Sequence, residues 1–177
     1  MYKKLISSTR NKIILLLLIS LVVFTGWEYG METGYLKVLV GTTNLSVGVI
    51  KKDTKVELET TISKENPYQF KVSTIVDGRK GSYPQEIGGI VQPFVIILSW
   101  QIFLFFVLTR RSALRSLAVN FVIFLLVQVI FLIFLTGYYT SDFQKFVYDM
   151  MMDSFYIIAI ILIIKDNMLY PIFRRSN

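Results

Sequence analysis

Four apolar runs divide the chain, and polar or charged residues bound each of them. The first run, residues 13–27, holds eleven Ile, Leu, Val or Phe residues between Ile13 and Phe24. The second and third runs, residues 87–109 and 116–141, contain no charged residue. About 20 residues of apolar helix are needed to cross the hydrocarbon core of a bilayer. The pattern therefore predicts that these three runs cross a membrane as helices.

The fourth run is too short to span a membrane without including charge. Only eleven uncharged residues lie from Ser154 to Ile164, and extension adds either Asp153 or the pair Lys165 and Asp166. We predict a span from about Met150 to Tyr170, with the Lys165 side chain reaching inward to the head groups.

The ends of two runs carry further local signals. Trp27, Met31, Tyr35 and Leu39 recur at helical spacing after the first run. This periodicity predicts that the first helix continues outward beyond the lipid. Pro93 near the outer end of the second run predicts a kink in that helix.

A different pattern follows the first run, because apolar and polar residues alternate in residues 45–49, 56–62 and 68–72. Strict alternation predicts strands with one buried face, and Asp77-Gly78 is a typical turn that ends the set. We predict a three-stranded antiparallel meander on the outer face. Some thirty residues in such a sheet bury too little apolar surface to be stable alone. Its apolar face must rest on the extended first helix, on the bilayer surface or on another protein.

These patterns predict a mainly α membrane protein, a four-helix transmembrane bundle with a small antiparallel β-meander between the first and second spans. Residues 1–41 form the basic N-terminus, the first span and its outward helical extension. Residues 42–86 form the extracytoplasmic β segment. Residues 87–177 form the other three spans, their short loops and the basic C-terminus.

The distribution of Lys and Arg predicts the orientation. Ten of the 19 basic residues border the inner ends of the predicted spans with one acid, and the other nine share the outer segments with eleven acids. The positive-inside rule then places both termini in the cytoplasm of a bacterium, with the chain in its inner membrane. The ten are Lys3, Lys4, Arg10, Lys12, Arg110, Arg111, Arg115, Lys165, Arg174 and Arg175.

Composition restricts the chemistry. The chain has 177 residues, 54% of them hydrophobic, with mean hydropathy +0.56 and an isoelectric point near 9.6. The chain has no basic patch interleaved with aromatic residues, so the positive charge does not indicate nucleic-acid binding. We interpret the charge as a signal of membrane topology. Cys and His are absent, which excludes disulfides, thiol catalysis and the commonest zinc and haem ligands. We expect no cofactor and no metal.

Polar residues inside the spans are the first candidate site, because intramembrane polar groups often carry function. They are Trp100 and Gln101 in the second run and Asn120 and Gln128 in the third. Gln101 and Asn120 lie at similar depth and could hydrogen-bond to each other across the hairpin. Such bonds mainly fix helix packing, and we favour that role.

Three outer carboxylates are the second candidate site. Asp142, Asp149 and Asp153 lie near the predicted membrane surface, and Lys145, Asp149 and Asp153 share one helix face. Two such acids could share a proton and activate water, as in an aspartic protease. The alternative, which we favour, is an interfacial helix whose charges are solvated or paired.

The order of spans and outer β segment resembles signal peptidase II, an aspartic protease, and also claudins. The Asn- and Ala-rich catalytic signatures of signal peptidase II are missing from this chain. The Trp-Gly-Leu-Trp stretch and the Cys pair of claudins are missing too. Small membrane proteins encoded beside exosortases are also similar. The similar features are Gly26-Trp27 through Tyr35, Arg110-Arg111 with Arg115, and Leu125-Leu126-Val127-Gln128.

This last resemblance implies an accessory subunit. Exosortases resemble Cys/His-dependent proteases, and this chain has neither residue. We therefore predict a non-enzymatic accessory or assembly subunit of a bacterial envelope export or protein-sorting system. Its expected partners are the lipid bilayer and another membrane protein, bound through the β segment or the bundle. The alternative is an intramembrane aspartyl protease that uses Asp142, Asp149 and Asp153.

Overall fold

A computed structural model of the chain describes residues 8–61, 68–76, 78–152 and 154–173. Chain contacts divide the molecule into two compact units. Unit 1 comprises Met1–Met31, Gln92–Phe124 and Tyr156–Asn177, and unit 2 comprises Glu32–Val91 and Leu125–Phe155. Each unit has its own buried residues and is described separately.

The first apolar run forms helix α1 (Thr9–Gly26), as its unbroken Ile, Leu and Val content predicts. The segment Trp27–Met31 follows it and contains a kink at Gly30, whose φ is 120°. Only glycine adopts this backbone conformation without strain. Helix α2 (Glu32–Ile50) follows the kink, so a second helix is present where the extension was predicted, but the helix is not continuous.

Unit 1 contains α1, helix α3 (Pro93–Val107), the first part of helix α4 (Arg110–Leu135) and nearly all of helix α6 (Phe155–Leu169). The predicted kink at Pro93 is wrong because Pro93 lies in the first turn of α3. A proline there disrupts no helical hydrogen bond. The core of this unit consists of Ile19, Val23, Trp100, Phe103, Leu104, Ala113 and Ile172.

Unit 2 contains α2, the second part of α4, helix α5 (Asp142–Met152) and a three-stranded antiparallel sheet. The strands are β1 (Lys55–Thr60), β2 (Tyr68–Val76) and β3 (Arg79–Glu86), in the order β1-β2-β3. In the register, Val56 lies opposite Val72 and Val72 opposite Tyr83. The predicted meander therefore exists, with β2 at its centre.

One predicted strand is wrong, and one observed strand was not predicted. Residues 45–49 belong to α2, where Leu36, Leu39, Thr43 and Val47 form its buried stripe at helical spacing. The third strand is instead β3, whose sequence is too polar to show alternation. Proline has no backbone N–H to donate, so it is tolerated in a sheet mainly on edge strands. β3 is an edge strand, with β2 as its one neighbour, and it therefore accommodates Pro84.

Helix α2 covers the apolar face of the sheet. Val56, Phe70 and Val72 are fully buried on the sheet side. The Asn44 side chain joins the two elements, since its Nδ2 donates to the Val56 carbonyl at 2.7 Å and its Oδ1 accepts from the Val56 amide at 2.8 Å. Of the three predicted supports for the sheet, the extended first helix is the one observed.

β3 also contacts the C-terminal end of α4 and the segment that follows it. Tyr83 donates from its hydroxyl to the Leu135 carbonyl at 2.5 Å, and its ring lies edge-on to Tyr139 at 4.6 Å between centroids. Burial raises the pKa of Tyr83, so the phenol remains a donor at any ordinary pH. This bond fixes the last strand of the sheet within unit 2.

Among the described residues, two helical segments are long and apolar enough to cross a membrane, Thr9–Ile50 and Arg110–Leu135. The helices Asp142–Met152 and Phe155–Leu169 qualify only when they are counted together, and Pro93–Val107 is a shorter apolar helix. The continuous helix predicted from Met150 to Tyr170 is therefore interrupted after Met152. The structure shows a mainly helical chain with two candidate spans and the small sheet.

A buried carboxylate as candidate functional site

Asp166 on α6 is the centre of a polar cluster inside unit 1. Its Oδ2 atom accepts hydrogen bonds from Trp100 Nε1 and Gln101 Nε2, each at 3.1 Å. It also accepts from Ser116 Oγ and Asn120 Nδ2, each at 2.7 Å. Asp166 is fully buried, and its four donors are at most 4% exposed. The carboxylate thus links α3 and α4 to α6.

Helical spacing explains how the donors meet. Ser116 and Asn120 are four residues apart on α4 and so project from one face of that helix. Trp100 and Gln101 are neighbours near the middle of α3. Ser116 and Asn120 lie about 9 and 15 Å along α4 from Arg110, at 1.5 Å per residue. The cluster therefore lies nearer to the end of α4 that carries the arginines.

Lys165 supplies the positive charge beside Asp166. Its Nζ atom lies 3.2 Å from Asp166 Oδ1, and the Lys165 side chain is 30% exposed. The same Nζ donates a hydrogen bond to Asn120 Oδ1. The buried carboxylate and the Asn120 oxygen attract the ammonium group of Lys165 into the unit. That this side chain reaches the head groups stays a prediction.

The cluster is a set of acceptors and donors that bind one another. A general base needs a lone pair directed at its substrate, whereas Asp166 Oδ2 already accepts four hydrogen bonds and Asp166 Oδ1 faces the Lys165 ammonium group at 3.2 Å. Among the described residues, neither Asp166 Oδ1, apart from this ion pair, nor the buried Gln101 Oε1 accepts a hydrogen bond. A water molecule or another small donor would satisfy them. The arrangement is suited to holding three helices in one register.

The sequence prediction found three of the four donors, and it missed Ser116 and the acceptor. Gln101 and Asn120 were expected to bond to each other, but both donate to Asp166. Asp166 was assigned only to the inner end of the fourth span. One signal was present in the sequence: several donors at similar depth in uncharged spans require a buried acceptor, since an unsatisfied polar group there is costly.

Gln128, the fourth polar residue of the spans, lies in unit 2 and takes no part in this cluster. Tyr35 on α2 donates its hydroxyl hydrogen to Gln128 Oε1. Gln128 Nε2 donates to the Ile90 carbonyl at 2.7 Å. A neutral amide therefore connects α2, α4 and the turn before α3 within unit 2.

The structure does not bring Asp142 and Asp149 together. Both are exposed on α5, seven residues apart, which corresponds to a rise of about 10 Å along the helix. Lys145 Nζ lies 5.5 Å from the centroid of the Tyr138 ring and forms no ion pair with Asp149. Asp153 lies outside the described residues, so a dyad that includes it stays a prediction.

Several of the topology residues can be located in unit 1. Lys12 Nζ donates to the Ile172 carbonyl at 2.6 Å, so the start of α1 meets the segment after α6. Ala113, between Arg111 and Arg115, is in the same buried cluster as Ile172. Arg10, Lys12, Arg110, Arg111 and Arg115 therefore cluster toward one end of unit 1. Lys3, Lys4, Arg174 and Arg175 lie outside the described residues.

Comparison of the chain with protein-family models, with curated proteins and with solved structures finds no match. The resemblances to exosortase-associated proteins, signal peptidase II and claudins therefore rest on the sequence features alone. Function must be argued from the residues described above.

Proposed function

We propose that this chain is a non-enzymatic accessory or assembly subunit of a bacterial envelope export or protein-sorting system. It crosses the inner membrane four times, with both termini in the cytoplasm and residues 28–86 outside. The observation that carries the proposal is that the buried polar side chains hydrogen-bond to one another and not to a substrate site. The donors of two uncharged segments, on α3 and α4, converge on Asp166 of α6, where they hold the three helices together.

Arg10, Lys12 and the arginines of α4 cluster toward one end of unit 1. This clustering supports the proposal that this end faces the cytoplasm. Positive residues that flank spans are retained in the cytoplasm. The ion pairs of the sheet support its placement in water outside the bilayer core. Lys55 pairs with Glu57 at 2.6 Å and Lys71 with Glu59 at 2.7 Å, and all four side chains are at least 36% exposed. A polar sheet face with balanced charge is suited to water.

Exposed apolar residues of α2 support a protein partner outside the membrane. Val38, Leu45 and Val49 are 50%, 77% and 85% exposed, although the sheet covers the opposite face of this helix. Gly41 and Gly48, also exposed, leave open space beside them. Apolar side chains grouped on a soluble surface mark an interaction site. The partner surface is thus expected on α2 and not on the sheet.

Cysteine labelling tests the orientation on this cysteine-free chain. Lys55→Cys places a thiol at an exposed outer site, and Leu114→Cys places one at an exposed site between the arginines. An impermeant maleimide added to intact spheroplasts should modify residue 55 and should reach residue 114 only after lysis. Modification of residue 114 in sealed cells would reverse the orientation.

Photo-crosslinking tests the accessory role. A photoreactive side chain at Leu45 or Val49 should capture one integral or exported envelope protein in native membranes, the same one from both positions. The matched control is Glu57 on the polar face of the sheet, which should capture little. Export of a defined substrate should fail when the chain is deleted. Normal export in the deletion strain would refute the role.

Complementation by Asp142→Asn, Asp149→Asn and Asp153→Asn separates the accessory role from the protease alternative. Loss of either dyad carboxylate would remove the group that activates water. All three variants should restore function at matched abundance. Complete failure of two of them would establish the protease.

A further inference from the structure

A groove runs along unit 1 between α1, α3 and α6. Its volume is about 590 Å³, and Leu16 and Phe24 of α1, Val95 and Ile96 of α3 and Ile163 of α6 form apolar parts of its wall. Trp100 also lines the groove, where it is 3% exposed and directs its Nε1 to Asp166. The groove is open on one side. In a membrane, that side would face the bilayer.

The wall of the groove is mostly apolar along its length. Leu16 and Phe24 mark its extent along α1, which is about 12 Å at 1.5 Å per residue. A hydrocarbon chain lying along this wall would bury apolar side chains that are otherwise open to the surroundings.

Positive charge lies at one end of the groove. Lys12 is one helical turn before Leu16 and lies close to the line of Leu16, Ser20 and Phe24 along α1. Its Nζ atom holds the Ile172 carbonyl at 2.6 Å, next to Phe173 of the groove wall. Arg10 is exposed in the turn before it. This end of the groove is complementary to an anion.

We propose that the groove binds an anionic phospholipid of the inner leaflet, with one acyl chain against Trp100 and the phosphate at Lys12. Basic residues between helices at the cytoplasmic surface are suited to anionic head groups. Asn167, which also lines the groove, has a buried Oδ1 that accepts no hydrogen bond from the described residues.

The site rests on the membrane placement proposed above but not on the accessory role. A symmetric vesicle presents the same lipid on both faces, so the measurement does not depend on which end is cytoplasmic. Binding is measured on the purified chain, whereas the accessory role is measured in cells. Each proposal can fail without the other.

Fluorescence quenching tests the site directly, because the chain has two tryptophans and one of them lines the groove. Trp27→Phe leaves Trp100 as the sole tryptophan. This variant is reconstituted with phosphatidylcholine that contains a minor fraction of chain-brominated phosphatidylglycerol or, for comparison, chain-brominated phosphatidylcholine. Trp100 should show about a fivefold higher affinity for the anionic lipid, the ratio expected for one lysine near the surface.

Matched variants locate the effect. Lys12→Gln should abolish the preference, while Lys37→Gln, at an exposed lysine of α2, should leave it unchanged. Ser20→Phe should fill the groove and lower quenching by both lipids. Leu17→Phe, at a 64% exposed position on α1 outside the groove, should not.

Native mass spectrometry of the unaltered chain provides a second measurement if Trp27→Phe fails to fold. One phosphatidylglycerol should remain bound after detergent exchange, and Lys12→Gln should lose it. Equal quenching by both brominated lipids, or an adduct unaffected by Lys12→Gln, would overturn the proposal. If neither brominated lipid quenched Trp100 because a helix of a second copy of the chain occupied the groove, that result would overturn the proposal too.

Discussion

Two lysine–carboxylate pairs, one in each unit, have similar separations and very different surroundings. In unit 2, Lys71 Nζ lies 2.7 Å from Glu59 Oε1, and the two side chains are 36% and 38% exposed. In unit 1, Lys165 Nζ lies 3.2 Å from Asp166 Oδ1, with Asp166 only 1% exposed. The shorter contact is at the surface, where water and salt screen it.

The distance between the charged atoms does not indicate how much each pair contributes to stability. An exposed pair contributes little, because each partner is solvated when the pair breaks. A buried carboxylate has no such alternative, and removal of its partners leaves an uncompensated charge or unsatisfied donors. Asp166 also accepts from four donors, whereas Glu59 accepts from Lys71 and, at 3.4 Å, from Gln69. Stability of unit 1 should therefore depend on its pair far more than stability of unit 2 does.

The largest effect is expected from Asp166→Leu, which should lower the free energy of unfolding by about 3 to 5 kcal/mol. The change leaves Lys165 and four buried donors without their acceptor. Reversible unfolding in mixed micelles measures it, and Asp142→Asn, at an exposed acid, is the control. A loss below about 1 kcal/mol, the ordinary value for a surface pair, would remove the distinction between the two pairs.

The donors should rank by their contacts. Asn120→Leu should cost about 2 to 3 kcal/mol, because Asn120 donates to Asp166 at 2.7 Å and also accepts from Lys165. Gln101→Leu should cost about 1 to 2 kcal/mol, since its single bond to Asp166 is 3.1 Å long. The same unfolding assay measures both. The reverse order would show that Asn120 is not central to the cluster.

Tyr35→Phe tests a neutral buried contact in unit 2 and should cost about 1 to 2 kcal/mol. It removes only the hydroxyl that donates to Gln128, so the amide oxygen is left without that donor. Tyr29→Phe, at an 88% exposed tyrosine, is the control. A cost as large as that of Asp166→Leu would show that burial alone, and not charge, sets the difference between the units.

The smallest effect is expected from Lys71→Met, which should not change stability measurably at neutral pH. The hydrogen bond from Lys71 lowers the pKa of Glu59 below its ordinary value of 4.5. A lowered carboxyl pKa adds stability above the unfolded pKa, and that contribution is lost as pH falls through the folded pKa. Any difference between the two proteins should therefore diminish as the pH falls through the lowered pKa of Glu59. A difference that grows on acidification would contradict this sign.

Part of this structure could be predicted from the sequence, because the pattern is local. The apolar content from Ile13 to Phe24 predicts α1, and alternation around Val56 and Phe70 predicts two of the three strands. Residues 45–49 fit both helix and strand patterns, since Leu45 and Val49 are apolar but exposed. These residues are helical because the helix that begins at Glu32 continues through them to Ile50. The polar strand β3 shows no alternation, and it exists because β2 pairs with it.

Sequence by itself determined which segments are apolar, where the basic residues group and which donors lie inside the apolar runs. Each follows from the identity and spacing of neighbouring residues. Tertiary structure alone decided that α2 covers the sheet and that donors from α3 and α4 meet a carboxylate on α6. Asp166 is 46 to 66 residues from these donors along the chain. No local periodicity encodes such a distance, so only the packing of the helices brings the acceptor to them.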